Sequence, residues 1–563
     1  MLVKIKLSES LFYLSIQCFI FWILLCTSSV FLFDGSIYFK IFCIFLFLLI
    51  LFRPLWGICI FLVAMPIWGG SKPQDEHTTR FILLLSIVDF AGCLYCLRSF
   101  FLSGRRVHFN LAHPLVFCLF LYWLVAGCSL VSAQYNDLIA SIFHFRSPLL
   151  RQFLNLPESS FIYPWLAFFI LSMSMYLGLL ISNLTLTTAR ALKVMGCFLL
   201  GLLMTVILGL LDYYDLINLN FVRPWYFAPT FGDNFRFQHL TSLFGNPGWY
   251  AQYLVLGAPS LLVILALKLP SRLKIILLIS LMIVTEFCII LIYQRGGWLS
   301  YPITLAIIWY CVYVLKEEDS QSQFCFKLAK QSLLKIAITL PITVTISIGL
   351  VYFTALNQPE TRQQVSGFAQ RAESITNIHD RLRYWEPTFL MARLHPLFGP
   401  GLESFSSEYD KLYVNPGHLY KQTAENDVMY FHGSAHNLYF QTLAGKGFFG
   451  LFSLLGIFAA VFTLVLRGVF SPLPTAPILS QSQRLILMMT LAYTCALAIY
   501  GNVGEIFYSP IGYIPFVLFY AVTTAVVPPA YSLSSHFRAW VLGLLGAAFL
   551  THIYLEFGTR FAR

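Results

Sequence analysis

Charge is what this sequence has least of. Only 11% of its residues are Asp, Glu, Lys or Arg, against roughly 25% in an ordinary soluble domain. A chain of 563 residues that is 58% hydrophobic has too little polar surface to fold as one water-soluble globule. A continuous basic tract is also missing. The formal net charge of +11 is spread over short Lys/Arg clusters between apolar runs, which excludes a nucleic-acid partner and points to membrane orientation. Cysteine is absent from the long polar stretch between Leu356 and Ala435, so no disulfide framework holds that stretch. Of the 13 cysteines, all but Cys325 fall inside apolar segments. Cys93 and Cys96 have C-x-x-C spacing, but on a lipid-embedded helix they read as packing residues. No metal site, cofactor or internal repeat is expected.

What is abundant is aromatic and aliphatic. Aromatic residues make up 17% of the chain, with 54 Phe and 30 Tyr, which suits helices that touch lipid and end in an interfacial belt. Apolar runs of about spanning length recur at 11–33, 40–52, 55–68, 80–99, 114–132, 162–182, 192–212, 247–267, 274–293, 297–315, 336–356, 446–466, 485–503, 511–528 and 539–555. The run from Leu11 to Phe33 has no small-x-small cleavage pattern and reads as a first transmembrane helix, not a signal peptide. The pair around Arg53-Pro54 reads as a hairpin or one kinked element.

The spacing therefore predicts an all-α, polytopic transmembrane helical bundle of roughly 12 to 15 spans. If the spans alternate, Lys4/Lys6, Arg98/Arg104/Arg105, Arg190/Lys193, Lys268/Arg272/Lys274, Lys316 to Lys335, Arg467/Arg484 and Arg538 share one side, which the positive-inside rule makes cytoplasmic. The N-terminus is then inside, and the long loops near 133–161, 214–246 and 357–436 face out. Four regions follow: N-terminal helices (1–240), central helices (241–356), a large periplasmic loop carrying amphipathic helices (357–436) and C-terminal helices (437–563). Trp385, Phe389 and Ala392 fall on one 3.6-period face of a lid helix in that loop.

Several outer-side clusters could carry chemistry. Gln294-Arg295-Gly296-Gly297-Trp298 places a guanidinium beside two glycines that permit close approach of a ligand or another backbone; the plainer reading is a snorkelling helix-end arginine. In Asp380-Arg381-Leu382-Arg383-Tyr384-Trp385, guanidinium forks suit phosphate oxygens, or else pair with nearby acids. Ser434-Ala435-His436-Asn437 offers an imidazole able to take a hydroxyl proton near neutral pH, with Asn437 to orient it or a sugar. Phe244-Gly245-Asn246-Pro247-Gly248-Trp249 is helix-start chemistry that also suits an anion. Asp89 and Glu286 lie within apolar runs and read as structural hydrogen-bonding groups, with a proton relay as the alternative.

Together these segments resemble the O-antigen ligase and polymerase superfamily of bacterial membrane glycosyltransferases. The resemblance rests on Phe-Gly-Asn246-Pro247, Arg295-Gly-Gly-Trp298, Arg381-x-x-x-Trp385 followed by His395-Pro-Leu-Phe-Gly-Pro-Gly401 and Phe405, and His436-Asn437-Leu-Tyr439 leading through Gly447-Phe-Phe-Gly450. Two departures stand out: Lys446 where the family commonly has an acid, and Gly248 where it has a second Asn. The resemblance implies transfer of a glycan from undecaprenyl diphosphate to an acceptor hydroxyl at the periplasmic face of the inner membrane, without nucleotide sugar or metal. It implies that Arg295 and Arg381 hold the diphosphate, that His436 activates the acceptor, and that Arg383, Asn437, Trp385, Asn246 and Trp298 bind substrate or shape the site. The acceptor stays open among a lipid A-core sugar, another glycan repeat and a protein hydroxyl. The single outer lid and the lack of an added soluble C-terminal domain favour the ligase. A small-solute transporter is the reading from another class.

Overall fold

The computed structural model describes residues 37–67, 76–103, 110–133, 162–219, 240–244, 246–316, 341–354, 356, 376–402, 405, 434–470, 479–504, 506–507, 510–529 and 532–561. Every regular element among the described residues is helical. In chain order these are α1 (Ile37–Phe52), α2 (Pro54–Ala64), α3 (Glu76–Ser103), α4 (Pro114–Ala133), α5 (Ile162–Leu184), α6 (Thr188–Tyr213) and α7 (Pro247–Gly257). They are followed by α8 (Ser271–Ile292), α9 (Arg295–Lys316), α10 (Pro341–Thr354), α11 (Thr376–Leu394), α12 (Leu438–Gly468), α13 (Gln481–Tyr500), α14 (Pro510–Val526) and α15 (Ser535–Phe561). Nine helical segments among the described residues are long and apolar enough to cross a membrane, and five shorter apolar helices accompany them. The expected all-α polytopic bundle is what forms; its predicted first span, 11–33, lies outside the described residues.

One continuous apolar core runs from Phe39 in α1 to Val527 beyond α14. It is built by α4 against α12, α5 against α14, α9 against α13, α2 against α6 and α1 against α3. The doubtful pair α1 and α2 resolves as a tight reversal at Arg53. Gly57 lies directly against the side chain and backbone of Ile50, whereas residues seven apart on a continuous helix sit about two turns, or roughly 10 Å, from one another.

Two of the basic clusters meet beside the α1–α2 reversal. The Arg98 guanidinium lies 5.7 Å from the centre of the Phe52 ring and the Lys193 ammonium 3.2 Å from that of Trp56, both beside the α1–α2 reversal. Lys274 donates to the Leu265 carbonyl at 2.8 Å, satisfying a backbone group just before α8 begins. These contacts use the long apolar stems of basic side chains near helix ends.

Among the described residues, two helices are interrupted. α7 tightens into a 3-10 segment, Ala258–Ala266, with Pro259 near its start. α12 breaks at Gly447, whose φ of 63° and ψ of −165° belong to a region open essentially to glycine alone. The intramembrane acids lie elsewhere. The Ser347 hydroxyl donates to Glu286 at 3.2 Å, linking α8 and α10. The Asp89 carboxyl on α3 is fully buried, without a hydrogen-bond partner among the described residues.

Candidate active site

The turn that ends α13, residues Tyr500 to Val503, is where several of the candidate segments meet. It is a tight turn because Gly501, Val503 and Gly504 donate back to Leu497, Tyr500 and Tyr500. Three helices start against it. The Tyr500 hydroxyl donates to the Gly248 carbonyl at the start of α7, at 3.0 Å. The Gly501 carbonyl accepts from Leu438 N–H at the start of α12, at 2.7 Å. Gly296, in the first turn of α9, faces Val503 and the Tyr500 ring so closely that a Cβ there would lie 3.1 Å from Val503 and 3.9 Å from Tyr500.

Each start is built from its own sequence. The Asn246 side chain accepts from Gly248 N–H at 2.7 Å, and Pro247 fills the first helical position, which needs no donor. Asn437 accepts from the N–H groups of both Tyr439 and Phe440, at 2.9 and 3.0 Å. Its own amide donates to the Asn502 carbonyl at 3.3 Å. α9 follows α8 through Tyr293, held at a left-handed φ of 63°. Trp298 closes that turn: its indole N–H donates to the Ile289 carbonyl at 3.2 Å, and its ring stands edge-on to Tyr293 at 5.2 Å. Gly297 meanwhile brings α9 against Ile289 and Ala251.

His436 immediately precedes the Asn437 cap and is half-buried. Its φ of 49° is left-handed, a conformation His tolerates better than most side chains. The backbone around it is fixed: His436 N–H donates to the Ser434 hydroxyl at 3.3 Å and Ala435 N–H to the Gln441 side chain at 2.8 Å. The Tyr439 hydroxyl, donating to Ala498 at 2.8 Å, ties the same turn to α13. Arg295 and His436, from segments far apart in sequence, therefore flank one four-residue turn.

The lid helix α11 lies along the first half of α12. Trp385 and Phe389 meet the Phe440 ring at 4.9 and 5.4 Å, and Met391 and Ala392 are buried. This is the face the 3.6-residue period marks out, with Pro387 accommodated inside the helix. The backbone of Arg381 and Arg383 falls in α11, Arg381 one turn before Trp385 on the same face. The side chains of both arginines lie outside the described residues. Lys446 turns into the bundle. It is buried, its stem crossing Gly450 and its ammonium bonded to the Tyr122 hydroxyl of α4.

Three helix starts at one place carry a chemical consequence. Each N-terminus is the positive end of a helix dipole, equivalent to about half a positive charge. The Gly248, Leu438, Tyr439 and Phe440 N–H groups are already taken by Asn246, Gly501 and Asn437, so it is the dipoles that favour phosphate and carboxylate oxygens nearby. With the Arg295 guanidinium at one of them, the arrangement suits an anion beside an imidazole. Sequence reasoning missed Tyr500, Gly501 and Asn502. They belong to the chain's last 80 residues, where no motif was recognised, and their role is that of a hub: the Gly501 and Asn502 carbonyls receive donors from the start of α12, and the Tyr500 hydroxyl donates to the start of α7. The only signal was the polar interruption Tyr-Gly-Asn between two apolar runs.

Residues 275–455 match the family model described as O-antigen ligase, which supports the O-antigen ligase superfamily for this chain. The matched stretch contains Arg295, α11, residues 396–401 and His436. No curated protein matches the chain significantly.

Proposed function

We propose that this chain, with an O-antigen ligase domain at its centre, moves a glycan from undecaprenyl diphosphate to an acceptor hydroxyl at the periplasmic face of the inner membrane, joining O-antigen to lipid A-core in lipopolysaccharide biosynthesis. The supporting observation is that the start of α9 with Arg295 and the start of α12 with His436 meet on the turn Tyr500 to Val503. In this reading Arg295 and Arg381 grip the diphosphate, and the helix ends add partial positive charge. The acceptor oxygen attacks the anomeric carbon while His436 takes its proton. The bond from that carbon to the diphosphate oxygen breaks, and the electron pair leaves with the lipid diphosphate. A lipid diphosphate is already a good leaving group, so charge stabilisation and positioning matter more than a strong acid; no metal or cofactor is required. Arg383 assists the diphosphate or the base, and Trp385 holds the lid on α12.

The test is transfer in membranes supplied with the lipid-linked glycan and, separately, lipid A-core, a glycan repeat or a protein acceptor. Product on lipid A-core is expected; product only on a glycan or protein would make the chain a polymerase or a protein O-oligosaccharyltransferase. Arg295→Ala, Arg381→Ala and His436→Ala should each abolish transfer while leaving the protein inserted. Wild-type turnover by all three, or solute uptake into proteoliposomes that His436→Ala leaves intact, would overturn the reading. A transporter would pair its interrupted helices in corresponding halves, with charged residues near the midplane; among the described residues the breaks are in α7 and α12, and Asp89 and Glu286 sit in neither.

A further inference from the structure

The segment between the lid and its return, Pro396 to Gly401, is threaded into the break of α12. At Gly447 the helical ladder is interrupted, and the N–H groups of Phe448 and Phe449 turn to the carbonyls of Pro396 and Leu397, at 2.8 and 3.2 Å. In return, Gly401 N–H donates to the Gly445 carbonyl at 3.1 Å. That carbonyl also accepts the Ser129 hydroxyl of α4 at 2.7 Å. Backbone meets backbone here without space for side chains. A Cβ on Gly399 would lie 2.5 Å from the Gly445 carbonyl, and one on Gly447 would lie 2.5 Å from that of Leu397. Both glycines also have positive φ, 69° and 63°. Phe398 nails the strap down, stacked on Phe449 at 5.2 Å and edge-on to Phe549 of α15 at 5.5 Å.

This pairing does what a membrane demands of interrupted helices: donors freed by the break find protein acceptors. It also joins the C-terminal end of α11 rigidly to the helix whose first residue follows His436 and Asn437. We infer that the strap and the Gly447 break form a permanent clasp that fixes α11, and with it Arg381 and Arg383, relative to His436, so that Gly399 and Gly447 are positioning residues for glycan transfer. The inference rests on the function proposed above for the functional consequence, but the clasp itself stands on the backbone bonds. It makes the lid a fixed wall: substrate enters beside α11, not by its swinging away.

The experiment uses the full chain in lipid nanodiscs, in a background without its native cysteines, with spin labels at the exposed positions Glu386 on α11 and Leu455 on α12. Pulsed electron resonance then reads the distance between lid and helix. The unsubstituted glycines should give one narrow distribution. Gly399→Ala should broaden or displace it and slow transfer roughly a hundredfold, the cost of misplacing reacting groups by about 1 Å. A short bis-maleimide tether between Leu394→Cys and Phe448→Cys, both exposed, should leave transfer unchanged with the glycines intact and recover most of the rate in Gly399→Ala. The clasp is refuted if Gly399→Ala keeps the normal rate, if it slows with the distance unaltered, or if the tether alone stops transfer. The tethered protein answers the question even where Gly399→Ala fails to insert. If the unsubstituted protein transfers nothing while Gly399→Ala still displaces the lid, the clasp survives and the proposed reaction does not.

Discussion

Asn437 shows how much a single side chain does at this site. It caps two N–H groups of α12 and donates to Asn502, so Asn437→Ala removes a cap and the link to the hub together. Loss of a cap costs about 1 kcal/mol, and the unfolding midpoint in detergent should fall by about a degree. Transfer should fall further than stability does, because the residue before the cap is the proposed base; an unchanged rate would remove Asn437 from the site. Tyr500→Phe deletes only the hydroxyl bonded to Gly248, worth about 1 kcal/mol. The expected outcome is a raised KM for the lipid-linked donor with normal insertion, read from initial rates against donor concentration. His113, at the opposite end of the bundle, gives a pH test. It precedes Pro114 and accepts Leu115 N–H through Nδ1 at 3.2 Å. Burial pushes its pKa down to about 4, a backbone contact at Val527 opposing only in part. The unfolded chain takes up a proton near pH 6.5 that the folded chain refuses until about pH 4. Stability is therefore full above pH 6.5 and declines on acidification through that window, by about 3 kcal/mol at most. His113→Asn retains a capping acceptor and cannot titrate, so its thermal midpoint should lose this dependence between pH 7 and 5. If the wild-type midpoint is flat over the same interval, His113 is not held neutral.

At the scale of elements, the amphipathic face of α11 was legible because Trp385, Phe389 and Ala392 follow the 3.6-residue period, and the structure sets Trp385 and Phe389 against one ring, Phe440. The helix start at Asn246 was legible as local chemistry, since an Asn cap and a following Pro act within four residues, whereas Asn437 was read as a group orienting the imidazole or a sugar and its cap on α12 was not. What those starts meet was not. Tyr500 and Gly248 are brought together only by folding, and no local pattern encodes a carbonyl that receives a donor some 250 positions away. The break in α12 was hidden for a related reason: the run beginning near residue 446 reads as a fresh span, whereas the helix starts at Leu438 and is interrupted by a glycine whose freed donors are satisfied from another loop. Trp298 and Lys446 teach caution about motif residues. One closes the α8–α9 turn and the other is buried against α4, so both have structural partners that the sequence did not display. The α1–α2 reversal is testable on its own: Gly57→Val would force a branched side chain into Ile50. Overpacking of this kind costs about 1–3 kcal/mol, seen as a lower unfolding midpoint with residual transfer intact.

Across the whole molecule, a lipid-embedded scaffold with few charges gathers polar groups at helix ends and breaks, because there the backbone must find partners outside its own helix. Basic side chains gather beside the α1–α2 reversal, and the starts of α7, α9 and α12 gather on the turn after α13. Periodicity and run length were enough for the all-helical bundle. The assembly of the site depended on which ends fold together, which hydropathy does not encode. The proposed division of labour separates the two residues most directly: guanidinium to hold the donor, imidazole to activate the acceptor. Purified protein in proteoliposomes, given undecaprenyl-diphosphate-linked glycan and lipid A-core with chelator present, allows donor binding and product formation to be measured side by side. The account predicts that His436→Ala binds donor normally and forms no product, while Arg295→Ala loses both. Product formed by His436→Ala at the wild-type rate would contradict it.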